Sequence, residues 1–247
     1  ILEGILIDVG EQFKLTGNDL ELGIECFVKA DIREPGSIVI NSRMFGEIIK
    51  KLPDSEVLIE VKENNNVIIE CNNSHFELKG MPSEGYPSIP EIESDKTFAI
   101  SQKEVRDMIR QTLFAVSLEE NRPIFTGSLI ECKNNELTIV SIDGFRMAIR
   151  KTIRENDTSE FSVVVPGKAL NEIVKILQPV DEEITIYSSP NQILFDIGNC
   201  KIVSRLLEGE YLNYRSIIPK EYETKVRANT KEMLSSIERA SLITLDE

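Results

Sequence analysis

The chain has 247 residues, 41% of them hydrophobic, which is enough for more than one domain with a sizeable core. It carries 28 basic and 42 acidic side chains and a net charge of −14 at neutral pH, a balance that disfavours a broadly nucleic-acid-binding surface. Bulk charge does not say where the basic side chains lie, so a local basic surface stays open.

The four cysteines, Cys26, Cys71, Cys132 and Cys200, stand far apart in the sequence. Without close spacing we expect single thiols rather than a disulfide framework or a metal site, and hence a reducing, cytoplasmic location.

No apolar run approaches the ~20 residues needed to cross a bilayer, and we expect no signal peptide. Because the chain starts on a strand pattern without a methionine, we expect it to be part of a longer protein.

Apolar periodicity and clusters of turn residues predict the elements in chain order. The first group comprises strands over 4–9, 12–16, 20–29 and 37–40, a helix over 42–52, and strands over 56–62, 66–71 and 74–79. A turn-rich connector over 80–90 follows. The second group comprises a strand over 97–100, a helix over 102–116, strands over 126–132, 136–142, 145–153 and 161–165, a helix over 167–177, and strands over 183–188, 192–197 and 200–207. A second connector over 209–219 leads to a helix over 230–241.

The pair Asp143-Gly144 predicts a two-residue hairpin turn, because both of its positions favour positive φ. A similar run surrounds Asp19, 124 positions earlier, and Tyr86 of the first connector matches Tyr211 of the second, 125 positions later. A single period therefore runs through strands, helices and connectors. It predicts an α+β fold of repeated domains, each with two β-α-β-β-β units, in which helices lie on one side and antiparallel sheets on the other.

The predicted helices place basic side chains opposite their apolar stripes. These side chains are Arg43, Lys50, Lys103, Arg106, Arg110, Lys168 and Lys175. For one helix, a solvated face is the simpler interpretation. Recurrence at equivalent positions, in a chain of net charge −14, favours a shared functional surface.

Catalysis has little support in the sequence. The single histidine, His75, has no nucleophile beside it, and the acidic residues are spread singly without metal-ligand spacing. There is no phosphate-binding glycine motif. We therefore expect a non-enzymatic protein without a metal or cofactor.

With this repeat, the chain resembles the bacterial DNA polymerase III beta subunit family, the replication sliding clamps. The motifs that carry the resemblance are LTGNDLE at 15–21, IDGFRMA at 142–148, VVVPGK at 163–168 and GEYLNYR at 209–215. The resemblance implies three clamp domains per full-length chain and a head-to-tail homodimer that encircles duplex DNA. It divides this chain into the later part of a first domain over 1–93, a second domain over 94–222 and the start of a third over 223–247.

By this resemblance the basic helix faces line the DNA channel. The family's DNA contacts fall on Arg43 and on the loop 119–124, where Arg122 is the basic residue. That loop has Pro123 and Ile124 where aromatic residues are common in the family.

The resemblance also implies a pocket for short linear motifs of the replicative polymerase, clamp-loader subunits and other clamp-binding proteins. The residues that match it are Phe125, Ile142, Gly144, Phe145, Arg146, Met147, Leu212, Ser216 and Ile217. Phe145 stands where histidine is common, and Leu212 where proline is common. From the residues alone, Phe145 and Met147 could equally be ordinary core.

Two functions are consistent with these patterns. The first is a processivity clamp of the replicative DNA polymerase. The second is a protein-interaction scaffold without a DNA role, whose basic helix faces are merely solvated. A clamp requires the helices over 42–52, 102–116 and 167–177 on one side.

Overall fold

The computed structural model describes residues 3–92, 96–119, 121–153, 160–219 and 221–243. The chain divides into two compact units, Ile1–Tyr211 and Leu212–Glu247. The strands of the first unit are β1 (Gly4–Val9), β2 (Phe13–Asn18), β3 (Leu22–Val28), β4 (Gly36–Asn41), β5 (Leu58–Val61), β6 (Asn66–Cys71), β7 (Ser74–Lys79), β8 (Thr97–Ser101), β9 (Gly127–Lys133), β10 (Glu136–Ile142), β11 (Met147–Ile153), β12 (Phe161–Pro166), β13 (Glu183–Ser188), β14 (Gln192–Asp196) and β15 (Cys200–Arg205). Its helices are α1 (Ser42–Lys51), α2 (Gln102–Arg110) and α3 (Gly167–Ile176), with short 3-10 turns at Leu113–Ala115 and Pro123–Thr126. The second unit contains a 3-10 turn, Tyr214–Ser216, and the helix α4 (Thr230–Ser241).

The described strands form three antiparallel sheets. An eight-stranded sheet has the order β4-β1-β2-β3-β15-β14-β13-β8, a four-stranded sheet the order β11-β10-β9-β12, and a three-stranded sheet the order β5-β6-β7. The predicted α+β class, with paired β-α-β-β-β units, is confirmed.

Equivalent hairpins confirm the predicted repeat. The β2–β3 hairpin closes on the pair Asn18 and Gly23, and the β10–β11 hairpin closes on Ile142 and Met147, each 124 positions later. In both turns an aspartate side chain, Asp19 or Asp143, accepts hydrogen bonds from the backbone N–H groups two and three residues ahead. The residues that repeat in the sequence therefore adopt the same backbone conformation in both repeats.

The two repeats share one sheet along the pairing of β3 with β15, which we call the seam. Ile24 lies opposite Ile202 and Cys26 lies opposite Cys200. These residues point to the same face of the sheet, since directly opposed residues of antiparallel strands share a face. Each repeat thus contributes four strands to the eight-stranded sheet.

The helices α1, α2 and α3 all cover this same face. Alternation along the strands and the registers from β15 to β4 put Ile202, Ile7 and Ile38 on one side. Ile7 and Ile38 pack with Phe45 of α1 in one core cluster. Ile202 packs with residues of α2 and α3 in a second, larger cluster, which also includes strands of the four-stranded sheet.

The predicted end of α2 is wrong. The helix ends at Arg110 and not at residue 116. The Thr112 hydroxyl donates to the carbonyl oxygens of Met108, at 2.9 Å, and Ile109, and a separate 3-10 turn follows. A threonine that binds the carbonyls of the last turn competes with helix continuation. The predicted start is right, because the Ser101 side chain accepts a hydrogen bond from the backbone N–H of Glu104.

The expectation of four single thiols is also wrong. Cys26 and Cys200 are joined in a disulfide, whereas Cys71 and Cys132 remain buried thiols. The bonded pair is 174 residues apart in the sequence, so spacing gave no sign of it. The pairing of β3 with β15 brings the two side chains together.

Candidate functional site

The β10–β11 turn is built around the carboxylate of Asp143. Its Oδ1 accepts hydrogen bonds from the backbone N–H groups of Phe145 and Arg146, both at 3.0 Å, and the N–H of Asp143 donates to the carbonyl of Arg146. The loop therefore spans four residues, and of the two predicted turn positions only Gly144 has a positive φ, 95°. The predicted two-residue turn is wrong because the aspartate side chain, not a second residue of positive φ, closes this loop.

The negative charge of the Asp143 carboxylate also stabilises this turn. The backbone hydrogen bonds from Phe145 and Arg146 are the main reason that the pKa of Asp143 lies below its usual range, and the Arg146 guanidinium adds to the effect. Arg146 Nε donates to Asp143 Oδ2 at 2.8 Å. The ionised carboxylate thus holds both the backbone and the Arg146 side chain.

Exposed aromatic side chains flank this arginine. Phe145 lies at the tip of the turn, ahead of β11, and its side chain is 98% exposed, so it is not part of the core. The guanidinium of Arg146 lies 5.7 Å from the ring centroid of Phe114, which is 60% exposed, as in a cation–π contact. The sequence alone indicated no role for Phe114. Phe114 lies in the 3-10 turn Leu113–Ala115, and its position off the apolar stripe of the predicted helix 102–116 was the available signal.

The strands below the turn supply a more buried apolar surface. Met147 is half-buried and lies opposite Ile142, which is 6% exposed. Phe125 stacks edge-on against Tyr211, with ring centroids 5.7 Å apart. The Tyr211 hydroxyl donates to the carbonyl of Val140, and burial raises the pKa of Tyr211 to about 12. An uncharged tyrosine is therefore a fixed part of this surface at all physiological pH values.

We call the residues Phe114, Phe125, Ile142, Phe145, Arg146 and Met147 the hairpin surface. It combines exposed aromatic rings, a flexible methionine and one oriented guanidinium, a composition suited to apolar peptide side chains with a nearby polar anchor. Gly144 supplies the positive φ that directs the tip.

The remaining predicted pocket residues lie in the second compact unit. Leu212 and Ile217 are exposed there, at 44% and 50%. The Ser216 hydroxyl donates to the carbonyl of Asn213 at 2.7 Å, within the 3-10 turn.

The predicted basic residues occupy the three helices of the first unit. The side chains that are exposed are Arg43, Lys50, Lys103, Arg110, Lys168 and Lys175. Lys175 Nζ also binds Glu172 at 2.7 Å. Arg106 departs from the prediction, because it is half-buried and its Nε is buried without a hydrogen-bond partner.

The loop that the resemblance matched to DNA contacts is described in part. Glu120 lies outside the described residues. Arg122 is exposed, and its carbonyl accepts a hydrogen bond from the N–H of Phe125 at the start of the 3-10 turn Pro123–Thr126. Arg122 thus directly adjoins a residue of the hairpin surface.

Neither a metal site nor a membrane-spanning helix is present among the described residues. No group of three or more His, Cys, Asp or Glu side chains there could hold a metal ion. His75 Nδ1 lies 2.9 Å from a Glu70 carboxylate oxygen on the neighbouring strand. No described helix is long and apolar enough to span a bilayer.

Comparisons with known proteins cover almost the whole chain. The description "DNA polymerase III beta subunit, N-terminal domain" matches residues 1–90, and "DNA polymerase III beta subunit, central domain" matches residues 99–213. The beta sliding clamps of Staphylococcus epidermidis and Halalkalibacterium halodurans are 39% and 40% identical, over 98% of this chain and 67% of theirs.

Solved structures are similar in the same way. The DNA polymerase sliding clamp of Bacillus subtilis matches with a TM-score of 0.90 and 38% identity, over 98% of this chain and 66% of that one. The DNA polymerase beta subunit of Streptococcus pyogenes matches with a TM-score of 0.91 and 32% identity, over the same shares. The chain therefore spans about two thirds of the length of these relatives.

Proposed function

The chain belongs to the bacterial DNA polymerase III beta subunit family, the beta sliding clamps, and we propose that it acts as a processivity clamp through two separate surfaces, one for DNA and one for partner proteins. Clamps of this family are non-catalytic processivity factors that hold a polymerase on duplex DNA. The proposed DNA-facing surface is the basic side of α1, α2 and α3. The proposed partner site is the hairpin surface. We also propose that the protein acts in the cytoplasm, where bacterial DNA is replicated.

The observation that carries the DNA proposal is that three helices with exposed basic side chains cover one face of one continuous sheet. Six of the predicted cations are exposed on these helices, whereas the chain as a whole has a net charge of −14. A ring retains DNA by topology, so it requires only modest positive charge towards the phosphates and can be acidic elsewhere. Arg106 contributes less directly, since it is half-buried.

The partner proposal rests on the preformed geometry of the hairpin surface. The Asp143 carboxylate fixes the turn, so an arriving peptide does not have to order it. Exposed Phe145 and half-buried Met147 can receive leucine or phenylalanine side chains, whose burial contributes about 25 cal/mol per Å² before ordering costs. Leu212, Ser216 and Ile217 stay a prediction of the resemblance.

Open sheet edges support head-to-tail assembly of the full-length family member. By the repeat, β11 is equivalent to β3 and β7 is equivalent to β15, the two strands that pair at the seam. Both β7 and β11 lie at the edges of their sheets within the described residues. We propose that each is covered by a strand of the complementary type, from a third domain or from a second protomer.

The same repeat supports the domain boundaries that we propose, 1–93, 94–222 and 223–247. α4 begins after Asn229, whose side chain accepts hydrogen bonds from the N–H groups of Lys231 and Glu232. Its capped start resembles that of α2 after Ser101, the first helix of the second domain. The scaffold function without DNA, raised by the sequence alone, is not favoured by the family membership.

The DNA surface is tested by charge reversal. The double variant Lys50→Glu/Lys175→Glu changes α1 and α3, and Lys133→Glu/Lys201→Glu changes exposed strand positions by the same total charge. Lys201 lies between Cys200 and Ile202 on β15, and both of these side chains face the core below the helices. Because successive side chains of a strand point to opposite faces, Lys201 points away from the helices. Affinity for a short DNA duplex is measured by fluorescence anisotropy over a salt series.

We expect the helix variant to bind DNA more weakly. The slope of the logarithm of its binding constant against the logarithm of the salt concentration should become shallower by about one for each phosphate contact that is lost. The strand variant should bind as the wild type does. Equal weakening by both variants would show that only net charge matters and would end the DNA-face proposal.

The partner site is tested with a labelled peptide that carries leucine and phenylalanine near its end. Met147→Asp places a carboxylate in the hairpin surface and should weaken binding about tenfold or more. Met44→Asp makes the same substitution at an exposed position of α1 and should leave binding unchanged. Thermal melts check that both variants are folded. Equal affinities of the wild type and Met147→Asp would show that the peptide binds elsewhere.

A further inference from the structure

We propose that Cys26 and Cys200 form a reversible thiol–disulfide site that fastens the two repeats together at the seam. The two residues face each other across β3 and β15, with a Cα–Cα distance of 4.1 Å. Neither the clamp function nor the two surfaces proposed above requires this bond.

The backbone pairing explains why these two positions suit a cross-strand bond. The N–H of Phe27 donates to the carbonyl of Asn199 at 2.8 Å, and the N–H of Arg205 donates to the carbonyl of Glu21 at 2.9 Å. In an antiparallel ladder, hydrogen-bonded and non-hydrogen-bonded pairs alternate. Because Phe27 and Asn199 form a hydrogen-bonded pair, the adjacent Cys26 and Cys200 form a non-hydrogen-bonded pair, the kind in which opposed side chains lie closest. The strands therefore hold two sulfur atoms together without help from a loop.

Burial gives the two cysteines different roles. Cys200 is 4% exposed, whereas Cys26 is half-buried at the edge of the core cluster. A low-molecular-weight disulfide in solution can therefore reach Cys26 first. Cys200 is protected, but it lies directly opposite and can complete the reaction.

The chemistry is a thiol–disulfide exchange in two displacements. The Cys26 thiolate, whose proton has gone to solvent, attacks the small disulfide, forms a mixed disulfide and releases one small thiolate. The Cys200 thiolate then attacks the Cys26 sulfur and releases the second small thiolate, and both released thiolates take up protons. Two protein thiols are oxidised and one small disulfide is reduced to two thiols. An excess of small thiol reverses both steps, so a reducing compartment keeps the pair open.

The bond connects the two repeats and not two parts of one. Cys26 belongs to the first repeat and Cys200 to the second, and 174 residues separate them. Oxidation therefore closes a very long loop and prevents β3 from leaving β15, whereas reduction leaves the seam to hydrogen bonds and packing. Cys71 and Cys132 lie on β6 and β9, in different sheets, and serve as internal controls.

The experiment equilibrates the wild type and the variants Cys26→Ala, Cys200→Ala and Cys71→Ala in buffers of reduced and oxidised glutathione. Alkylation and mass spectrometry of the denatured protein then locate each disulfide. We expect oxidised wild type and Cys71→Ala to contain the link between 26 and 200, and to melt roughly 5–15 °C higher than when reduced. Neither Cys26→Ala nor Cys200→Ala should form this link. Cys26→Ala should melt at the same temperature in both buffers, whereas Cys200→Ala should stop at the mixed disulfide of Cys26 with glutathione.

Hydrogen exchange adds a local measurement on the wild type alone. The amides of Phe27 and Arg205, which donate across the seam, should exchange more slowly in the oxidised protein. Four alkylated thiols at every glutathione ratio, or a link between other cysteines, would overturn the proposal. A redox-dependent melting shift that persists in Cys26→Ala would overturn it as well.

Discussion

At the scale of single residues, the two equivalent turns show what an aspartate can impose. Asp19 and Asp143 accept the same pair of backbone hydrogen bonds, yet the next residue is Leu20 in one turn and Gly144 in the other. Both have a positive φ, 76° and 95°, which is unfavourable for a leucine. The Asp-Gly pair predicted that a turn occurs at this place in the second repeat, although it predicted two turn residues where the loop has four. The first turn lacks that signal and is held in the same conformation by its aspartate.

We predict that Gly144→Ala lowers the free energy of unfolding by about 1 kcal/mol through its backbone conformation alone. A Cβ at this position meets no atom within 4 Å, so a steric clash does not contribute. Gly36→Ala is the matched control, because a Cβ there is equally free and the residue has an ordinary strand conformation. Urea unfolding measures both. A loss in Gly36→Ala as large as that in Gly144→Ala would contradict this account.

The lowered pKa of Asp143 predicts a pH dependence with a definite sign. A carboxylate whose pKa is lower in the folded state stabilises that state above its unfolded pKa, here about 3.8, and this contribution is lost as the pH falls through the folded value. The acid-induced loss of stability should therefore be smaller in Asp143→Asn, which keeps an oxygen acceptor but cannot ionise. Urea midpoints between about pH 2 and pH 6 measure this difference. Identical pH profiles for the two proteins would refute the prediction.

At the scale of elements, the first hairpin differs from the second in what covers it. Gly23 is equivalent to Met147, and the side chain of Ile89, from the first connector, packs on Gly23. The first hairpin is thus covered by its own connector at the position where the hairpin surface presents a methionine. The repeat was readable from sequence. This contact was not, because it depends on one connector side chain in three dimensions.

We predict that Gly23→Ala destabilises the protein by about 1–3 kcal/mol, since the new Cβ would lie 2.9 Å from Ile89 Cγ1. The double variant Gly23→Ala/Ile89→Ala should recover part of this loss, and a double-mutant cycle gives the coupling. Gly17→Ala, where no atom lies within 4 Å, is the control and should change stability little. Additive effects of the Gly23 and Ile89 substitutions would show that the contact is unimportant.

At the scale of the whole molecule, sequence periodicity identified the strands and helices but not the long-range pairings. The helices α1 and α3, and the start of α2, were predicted at nearly their observed positions, because their apolar stripes are local patterns. The predicted end of α2 was six residues too late. That β3 pairs with β15, and that Cys26 meets Cys200, depends on strands from opposite ends of the first unit. For the candidate site, the hairpin residues were found through the family motif, whereas Phe114 was missed because its contact with Arg146 joins two separate elements.

The shared sheet predicts that the first unit unfolds in one cooperative transition, even with the disulfide reduced. Ile7→Ala in the first repeat and Ile202→Ala in the second each remove buried methyl groups and should each cost about 2–5 kcal/mol. Both should shift the same transition, seen by circular dichroism and by tyrosine fluorescence in reducing buffer. Two transitions, each shifted by only one of the variants, would show that the repeats unfold independently.

The seam also has a consequence for the order of events during synthesis. Ribosomes add about 5–20 residues per second, so β15 emerges roughly ten seconds or more after β3, from which it is separated by about 170 residues. Throughout that interval β3 presents an open edge with the apolar side chains of Leu22, Ile24 and Cys26, the kind of edge to which other nascent chains can add. β3 therefore remains unpaired at its edge until β15 has been synthesised. The risk of misassembly is greatest in this interval, when the first repeat is complete and the second is not.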